Sequence, residues 1–478
     1  MSEYTPTIGL EIHAELKTAT KMFCRSSNDA DETRPNVNIC PVCMAHPGTL
    51  PVINREAVRH VLRVGLALKG ELADYTEFDR KNYFYPDLPK GYQLSQFEYP
   101  LVSKGSLHGV DVTRVHLEED TASSIHTEGE GTAVDYNRAG VPLMELVTEP
   151  VIRSAQQAGD FARELQLLLR ALGASGANME KGEMRVEANI SVGRDGVLGT
   201  KVEIKNINSF RVMERAVEYE IKRQTQLLER GEKVVQETRG WDDGKQATFS
   251  QRVKEGSADY RYFPDPDLPS LKLSEIPDCS PEVLAKDMPE LPWERRERYS
   301  KLGVKKEDAD SFVRDGVFGT FFEEVISGWY GDSAKVISAS NYIANDLVNI
   351  SRDIQKPDTK TQPEISISAQ NFRKVIDMLT DKEISSRAAK DLLAECAADP
   401  SLDPQEVATR KGLFQNTSED ALGATVDEVI ANNPAVVAEY KAGKLTSLEY
   451  LLGQSMKALR GAGNPAVLRK LLQDKLQV

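Results

Sequence analysis

The segment IGLEIHAEL, residues 8–16, places acidic groups and an imidazole at alternate positions near the start of the chain. With the period of two of a β-strand, Glu11, His13 and Glu15 share one face and aliphatic side chains share the other. Carboxylate oxygens together with one imidazole suit a hard divalent cation such as Mg²⁺ or Mn²⁺. The segment therefore predicts a strand with one buried face and one face that can do chemistry.

Further segments combine polar and apolar residues in a similar way. In RVHLEED, Glu118 and Glu119 are consecutive, so in a strand only one of them shares the face of His116. In LMELVTEP, Glu145 and Glu149 can join an acidic face or belong to a structural loop. The polar positions of the other segments are Asp120 after RVHLEE, Arg185, Glu187 and Asn189 in RVEANISV, and Lys201, Glu203 and Lys205 in KVEIKN.

Two interpretations of these strands remain open from the pattern alone. The polar faces are simply solvated, as is common in antiparallel sheets, or they meet around a cation. Clustered carboxylates repel one another unless a cation such as Mg²⁺ binds between them. With that cation the cluster can hold polyphosphate, and Lys81, Lys201 or Lys205 can neutralise the remaining charge. The sequence has no G-x-x-x-x-G-K-[ST] loop and no G-x-S-x-G elbow, so a nucleotide must be held through metal and side chains.

The segment FDRKNYFYPDLPKGYQLSQ, residues 78–96, carries residues suited to binding. Its aromatic residues interleave with Arg80, Lys81 and Lys90. This composition is typical of surfaces that stack on bases or bind phosphates, and equally of a buried scaffold rich in turns.

Cysteines near the start of the chain suggest a metal site. Cys40 and Cys43 form a C-x-x-C pair, and Cys24 supplies a third thiol. Structural Zn²⁺ takes four ligands, but Ser26 stands where a fourth cysteine would complete a C-x-C pair. His46 is near enough in sequence to substitute. The alternative is three buried thiols without a metal.

Hydrophobic periodicity and turn residues predict an α+β fold with a largely antiparallel N-terminal domain. A Pro-rich stretch near residue 290 and a softer boundary near 405 divide the chain into domains 1–290, 291–405 and 406–478, of which the last two are helical. The predicted helices of the first domain are Glu56–Lys69, Ser154–Leu172 and Ser209–Arg230, and its predicted strands include Ile8–Leu16, Val110–Leu117, Arg185–Val192 and Thr200–Lys205.

Charge and composition restrict the class of protein. The 478 residues carry a net charge of −14, which argues against non-specific coating of nucleic acid. From Ala431 onward, however, seven Lys/Arg face three Asp/Glu, a net of +4. The start of the chain lacks the pattern of a signal peptide, and no apolar run reaches membrane length. These features predict a cytoplasmic protein with a basic tail.

An ordered set of motifs resembles the B-subunit family of the tRNA-dependent amidotransferases, which make Gln-tRNA or Asn-tRNA from misacylated Glu-tRNA or Asp-tRNA. The motifs extend over essentially the whole chain and include GLEIHAEL, PNVNICPVC, DRKNYFYPDLPKGYQLSQ, HLEEDTASSIH, DYNRAGVPLMELVTEP, VEANISV, GTKVEIKNINSF, VKEGSADYRYFPDPDLP and LLGQSMKALRGAGNP. The resemblance implies a cradle domain with the kinase and transamidase site, a helical domain and a small tail domain that binds tRNA.

The resemblance also implies an activity and its partners. A member of this family uses ATP and Mg²⁺ to phosphorylate the side-chain carboxylate of the tRNA-bound amino acid. Ammonia released from glutamine by the amidase-like A subunit then displaces the phosphate, and a small C subunit completes a heterotrimer. A carboxylate accepts ammonia poorly, because its leaving group would be oxide, and phosphorylation removes this difficulty.

By resemblance, the site residues fall into four sets. Because His13 must be neutral to bind a metal, the kinase step is expected to fail at acid pH. In some members the cysteine pairs bind zinc, which Ser26 puts in doubt here. The sets are Glu11, His13 and Glu119 for Mg²⁺, with Glu118, Glu187 and Asn189 nearby; Lys81 and Lys205 for phosphate; Cys24, Cys40 and Cys43 for Zn²⁺; and Lys457, Arg460, Arg469 and Lys470 for tRNA.

Two rival hypotheses differ in the chemistry that they assign to the chain. One is a non-catalytic tRNA-binding scaffold whose acidic strands only face solvent. The other is a stand-alone ATP-dependent ligase that uses free ammonia. The basic tail has its own alternative, a merely solvated helical face.

Overall fold

The computed structural model describes residues 4–127, 131–253, 260–329, 331–354, 364–415, 419–459 and 463–476. The chain divides into two compact units, Met1–Pro292 and Trp293–Val478. Within the described residues no helix combines the length and the apolar character needed to cross a bilayer.

The strands that the structure describes all belong to the first unit. In chain order they are β1 (Tyr4–Glu15), β2 (Glu71–Leu72), β3 (Tyr75–Thr76), β4 (Asp79–Asn82), β5 (Tyr92–Ser95), β6 (Val102–Ser103), β7 (Ser106–Leu107), β8 (Val110–Glu119), β9 (Ser123–Thr127), β10 (Gly131–Asp135), β11 (Pro142–Thr148), β12 (Met184–Arg194), β13 (Val202–Ile207), β14 (Glu237–Asp242), β15 (Ala247–Val253), β16 (Phe263–Pro264) and β17 (Leu271–Lys272).

Helices occur in both units and dominate the second. Short 3₁₀ turns lie at Leu273–Glu275 and Pro277–Cys279, and a π-helical turn, Ile343–Leu347, joins α8 to α9. The α-helices are α1 (Arg55–Ala67), α2 (Ala155–Ala171), α3 (Phe210–Glu229), α4 (Pro281–Lys286), α5 (Pro292–Lys301), α6 (Lys306–Arg314), α7 (Gly316–Ile326), α8 (Ser333–Tyr342), α9 (Val348–Ile354), α10 (Ala369–Thr380), α11 (Ser386–Ala398), α12 (Pro404–Lys411), α13 (Glu419–Asn432), α14 (Pro434–Lys441), α15 (Thr446–Ala458) and α16 (Pro465–Leu476).

One large sheet positions the residues of interest. Its strand order is β15-β14-β13-β12-β1-β11-β8-β6-β2, with β7 paired to β8. The pairs are antiparallel except for β13 with β14. The predicted α+β fold with a largely antiparallel N-terminal domain is therefore confirmed. β1 lies in the middle of this order, so the side chains of its polar face have neighbours on both sides.

The apolar face of β1 lies in the core of the first unit. Ile8, Leu10 and Ile12 are at most 1% exposed, which is the burial that the alternation of IGLEIHAEL predicts. Helices α2 and α3 pack against each other, and α3 packs against β12. Ser154 and Ser209 cap these two helices by accepting backbone N–H bonds, so each helix begins one residue after its cap.

Among its described residues, the second unit has two hydrophobic clusters that are separate in sequence. The first extends from Tyr299 to Ala408 and includes Phe322 and Phe372, both fully buried. The second is formed by leucines and valines of α13, α15 and α16, among them Leu451, Leu468 and Leu472. Each cluster gives its helices an apolar side to pack on, as helical periodicity requires.

Candidate active site

Strand register brings the polar positions of four strands to one face of the sheet. On β1, His13 lies opposite Arg185 of β12 on one side and Glu145 of β11 on the other. In turn, Glu145 lies opposite His116 of β8. Because directly opposed residues point to the same face of a sheet, these side chains form one polar row across β12, β1, β11 and β8.

The centre of this face is an acid cluster formed by Glu11, His13, His116, Glu118 and Glu145. Nε2 of His13 lies 3.8 Å from Oε1 of Glu11, 3.6 Å from Oε1 of Glu118 and 3.4 Å from Oε2 of Glu145. Nε2 of His116 lies 3.4 Å from that same Oε2 atom. The side chains of Glu118 and Glu145 are only 3% and 8% exposed. The polar face is therefore a buried site and not a solvated surface at this point.

Buried carboxylates this close together perturb each other's protonation. Burial, together with the charges of Glu145 and Glu187, raises the pKa of Glu11. Burial opposes a charge on His13, but the hydrogen bond to Glu145 and the fields of the three carboxylates outweigh it and raise the pKa of His13 to about 9. Burial would also raise the pKa of Glu145, but His116 and His13 hold it well below its usual range. Without a metal, the cluster therefore depends on positive imidazole to balance its acids.

The donor set of the acid cluster fits a hard divalent cation. One donor atom each from Glu11, His13 and Glu145 lie within 4.8 Å of one another, and the same is true of His116, Glu118 and Glu145. A Mg²⁺ ion bound at roughly 2.1 Å requires neighbouring donors about 3 to 4 Å apart, which matches the distances from His13. A cation here would compete with the proton of His13, because a ligating imidazole is neutral.

Polar residues of β12 and β13 extend the site beyond Glu11. Glu187 lies directly opposite Glu11 in the register, and its Oε2 is 2.7 Å from Nζ of Lys205. That ammonium is also 3.5 Å from Oε1 of Glu203. Oδ1 of Asn189 is buried and has no hydrogen-bond partner among the described residues. The structure thus brings Glu187, Asn189 and Lys205 to the predicted site.

Lys81 approaches the acid cluster from β4. Burial works against its charge, but Glu118, Tyr262 and Glu145 raise the pKa of its ammonium. Its Nζ also lies 5.1 Å from the centre of the Tyr260 ring, a cation–π distance. A second cation thus faces the carboxylates, as expected of a residue that contacts phosphate.

Glu119, which the resemblance assigned to the metal, lies on the other face of β8 from Glu118. Its carboxylate accepts a hydrogen bond from the backbone N–H of Leu94, 3.0 Å away, and forms an ion pair with Lys90. It lines a cavity of about 190 Å³ with Lys90 and Cys43. Because side chains alternate along β8, Glu118 and not Glu119 shares the face of His13. One member of the ligand set that the resemblance implied, Glu119, therefore lies away from the other two, Glu11 and His13.

Sequence reasoning did not select Glu145 or His116 as candidate metal ligands. Glu145 contacts both histidines of the acid cluster and is the residue that joins β1 to β8 across β11. Its signal in the sequence is a single carboxylate inside the otherwise uncharged strand PLMELVT. A lone acid in a mostly buried strand is unusual unless it is paired, and this could have pointed to it.

The three predicted zinc ligands also come together. The sulfur atoms of Cys24, Cys40 and Cys43 lie within 4.8 Å of one another, and Oγ of Ser26 lies 3.8 Å from Sγ of Cys43. A hydrogen bond from the Cys24 thiol outweighs burial and, with nearby Lys21, lowers the pKa of Cys43 to about 4. A thiolate with two further thiols suits Zn²⁺, but the neighbouring hydroxyl is a poorer fourth ligand than a thiolate.

We expect Ser26→Cys to increase the zinc affinity of the chain by at least about tenfold, since it would complete a four-thiolate site. Competition with a chromophoric chelator measures this affinity, and Ser26→Ala serves as the matched control that adds no ligand. Equal zinc affinity of the Ser26→Cys variant and the natural chain would show that position 26 does not supply a ligand to the three thiols.

The predicted tRNA-binding residues lie in the last two helices where they are described. Lys457 is exposed on α15, and Arg469 and Lys470 are exposed on α16. Nη2 of Arg469 is 3.0 Å from Oε2 of Glu449, so its charge is partly balanced. Arg460 lies outside the described residues.

Comparison with known proteins identifies relatives of this chain. The family model described as GatB/GatE catalytic domain matches residues 6–276, and the one described as GatB domain matches residues 320–476. Three similar proteins are each named as the B subunit of an aspartyl/glutamyl-tRNA(Asn/Gln) amidotransferase. The one from Picosynechococcus sp. is 40% identical over 100% of this chain and 98% of its own length. Those from Thermus thermophilus and Thermomicrobium roseum are 42% and 43% identical, and each alignment covers at least 99% of this chain and of the relative.

Proposed function

Because the chain belongs to the family of aspartyl/glutamyl-tRNA(Asn/Gln) amidotransferase B subunits, we propose that it activates and amidates the amino acid carried by Glu-tRNA(Gln) or Asp-tRNA(Asn). The products are Gln-tRNA(Gln) and Asn-tRNA(Asn), and the reaction is that of a glutamine-dependent ligase that forms a carbon–nitrogen bond. The observation that carries this proposal is the buried acid cluster, with Lys81 and Lys205 beside it.

The acid cluster is the proposed place of the metal. Glu11, His13, Glu118 and Glu145 would hold Mg²⁺, which when bound neutralises charge on the phosphates of ATP and on the phosphoryl group in transfer. His116 positions Glu145 through its 3.4 Å contact. In this proposal Glu118 and Glu145 replace Glu119 in the ligand set.

The proposed reaction has two steps. A side-chain carboxylate oxygen of the tRNA-bound amino acid attacks the γ-phosphorus of ATP, and ADP leaves. Ammonia then attacks the acyl carbon of the resulting acyl phosphate, inorganic phosphate leaves with the oxygen, and the proton lost by the new amide nitrogen goes to the departing phosphate. Lys81 and Lys205 would bind phosphate oxygens, and Glu187 would orient Lys205 through their 2.7 Å ion pair. Asn189, whose carbonyl oxygen is buried and without a partner in the described structure, would accept a hydrogen bond from the attacking ammonia.

The partners follow from the family and from what the sequence lacks. The relatives are named as B subunits, which supports a multi-subunit enzyme. The sequence has no nucleophile elbow and no other motif for splitting glutamine. We therefore assign ammonia production to an amidase-like A subunit, with a small C subunit completing a heterotrimer. Since tRNA and ATP are the substrates, the proposed location is the cytoplasm.

The C-terminal helices are the proposed binding site for the body of the tRNA. Residues 406–478 carry the basic end of the chain, and Lys457, Arg469 and Lys470 expose their side chains there. In this scheme residues 1–290 form the catalytic cradle, 291–405 a helical domain and 406–478 the tail domain.

Lys457→Ala is expected to weaken binding of every tRNA substrate by a similar factor and to reduce the slope of log affinity against log salt by about one. The loss of a single phosphate contact explains both effects. Filter binding at several salt concentrations measures them, with the exposed Lys301→Ala of α5 as control. An unchanged slope would place Lys457 outside the tRNA contact.

The proposed function is tested by reconstitution with partner subunits, glutamine, ATP and each misacylated tRNA. We expect the enzyme to form glutaminyl-tRNA or asparaginyl-tRNA and to release one ADP for each product. Mild hydrolysis of the aminoacyl ester releases the amino acid for identification. His13→Ala should abolish both. If ADP release persisted at the natural rate in this variant, the chain would be the non-catalytic scaffold, and amidation without partner subunits at the expense of glutamine would favour a stand-alone ligase.

A further inference from the structure

A row of five aromatic rings passes beside the acid cluster and reaches the surface at both ends. Tyr85, Tyr83, Tyr260, Tyr262 and Phe97 form this aromatic ladder, with successive ring centroids 5.9, 6.0, 6.0 and 4.3 Å apart. The first three contacts are edge-to-face, and the last pair is stacked with an angle of 11° between the rings. Such a continuous arrangement of rings is larger than packing of a single turn requires.

The two ends of the aromatic ladder are open to solvent. The exposed fractions of Tyr85 and Phe97 are 56% and 54%, and that of neighbouring Phe84 is 87%. Large apolar side chains grouped at a surface indicate a binding site for another molecule. In the middle of the ladder, the hydroxyl of Tyr83 donates to Oε1 of Gln93, 3.0 Å away, which holds this ring in place.

The aromatic ladder is continuous with the site of phosphoryl transfer. Lys81, which faces Glu118 and Glu145, lies 5.1 Å from the centre of the Tyr260 ring. Gln93, which accepts a hydrogen bond from the Tyr83 hydroxyl, lies on β5 two residues before Ser95, and the Ser95 hydroxyl donates to Oε2 of Glu118 at 3.3 Å. A molecule that lies along the ladder therefore passes next to the acid cluster.

We propose that the aromatic ladder binds the unpaired 3′-terminal nucleotides of the substrate tRNA by stacking. The proposal rests on the proposed function and adds the subsite for the nucleic-acid end. The amino acid is esterified to the terminal ribose, so its carboxylate can reach the acid cluster only if the terminal base lies within about 10 Å, a few bond lengths away. Unpaired bases at a strand end are available for stacking on Tyr and Phe.

Cations also lie on rings next to the aromatic ladder. The guanidinium of Arg80 lies 4.3 Å from the centre of the Tyr92 ring and 5.7 Å from that of Phe263. Lys90 lies 5.6 Å from the same Tyr92 ring. Arg80 pairs with Asp265 at 2.6 Å, and Lys90 pairs with Glu119, so both of these charges are already balanced. Lys81, which lies on the Tyr260 ring, is the cation that a phosphate of a strand stacked on the ladder would meet.

The test uses the assembled enzyme and an uncharged tRNA whose terminal adenosine is replaced by 2-aminopurine, a base whose fluorescence falls when it stacks. Binding to the natural enzyme should quench the fluorescence several-fold. In Phe97→Ala and Tyr85→Ala the quenching should be reduced, and the KM for misacylated tRNA should rise about tenfold, as for one lost base stack. The KM for ATP should stay the same, and Phe97→Tyr should restore quenching.

A matched control on another strand shows whether the effects are specific to the aromatic ladder. Phe249 on β15 is 45% exposed and belongs to none of the ladder contacts, so Phe249→Ala should leave quenching and both KM values unchanged. A raised KM for ATP alone would show that the ladder holds the adenine of ATP and would overturn the proposal. Full quenching in both ladder variants would overturn it as well, in favour of a surface that contacts a partner protein of the complex. Because quenching needs no catalysis, product formation by the natural enzyme tests the proposed function separately.

Discussion

Replacing Glu145 with Gln is expected to reduce tRNA-dependent ATP cleavage by at least about 10³-fold, or roughly 4 kcal/mol in activation free energy. The substitution keeps the size of the side chain but removes the charge that lies 3.4 Å from both His13 and His116. The metal would then lose a ligand, and the two histidines would lose their common partner. ADP release by the assembled enzyme with misacylated tRNA measures the effect.

A matched control lies four residues further along the chain. Glu149 follows β11, and its carboxylate accepts a hydrogen bond from Thr113 Oγ1 at 2.7 Å, away from the histidines. Glu149→Gln should therefore keep ATP cleavage within about twofold of the natural rate. If Glu145→Gln retained a comparable rate while folding normally, the acid cluster would not be the site of phosphoryl transfer.

Substitutions of the adjacent residues Glu118 and Glu119 are expected to affect different properties, turnover in one case and stability in the other. Glu118→Gln should lower the turnover number about 10²-fold with little change in thermal stability, because Glu118 faces His13 at 3.6 Å. Glu119→Gln should instead lower the stability of the first unit by about 2 kcal/mol, because it breaks a buried ion pair with Lys90. Its turnover number should fall less than that of Glu118→Gln.

Turnover and thermal midpoint, both measured for the two variants, check this division. Thermal unfolding of the isolated chain gives the midpoint, and saturating ATP and tRNA give the turnover number. The opposite pattern, with turnover lost in Glu119→Gln and stability lost in Glu118→Gln, would restore Glu119 to the ligand set that the family resemblance implied.

Local alternation made much of the sheet predictable. A strand with one buried face repeats every two residues, so IGLEIHAEL and RVEANISV could be identified as strands without knowing their neighbours. Those two strands, β1 and β12, are paired in the structure and place Glu11 opposite Glu187. The caps at Ser154 and Ser209 were likewise readable, because capping depends only on residues close in sequence.

The composition of the acid cluster was harder to predict from the sequence, because it depends on the order of the strands in the sheet. β11 lies between β1 and β8, and its sequence PLMELVT is buried on both faces and lacks the alternation that marks a half-exposed strand. Glu145 was therefore recognisable only as a lone acid in a buried strand, and the sequence did not show that it lies beside His13. Alternation showed that Glu118 and Glu119 face opposite ways, but only the pairing of β8 with β11 shows which of them faces His13.

Long-range contacts also determine the aromatic ladder. The segment 78–96 revealed its aromatic and basic composition, but Tyr260 and Tyr262 join it from a distant part of the chain. β16 pairs with β4, and the backbone N–H of Asn82 donates to the carbonyl of Tyr260 at 3.0 Å. These pairings convert a local composition into a continuous surface.

Binding of Mn²⁺, a paramagnetic substitute for Mg²⁺, to the isolated chain tests whether the acid cluster holds a divalent cation. Titration followed by electron paramagnetic resonance should show one tight ion per chain, with ¹⁴N couplings of imidazole in the electron spin echo spectrum. His13→Ala should remove the coupling, Glu145→Gln should weaken binding at least about tenfold, and Glu149→Gln should do neither. If Mn²⁺ bound His13→Ala and the natural chain with equal affinity and identical ¹⁴N couplings, the acid cluster would not be the metal site.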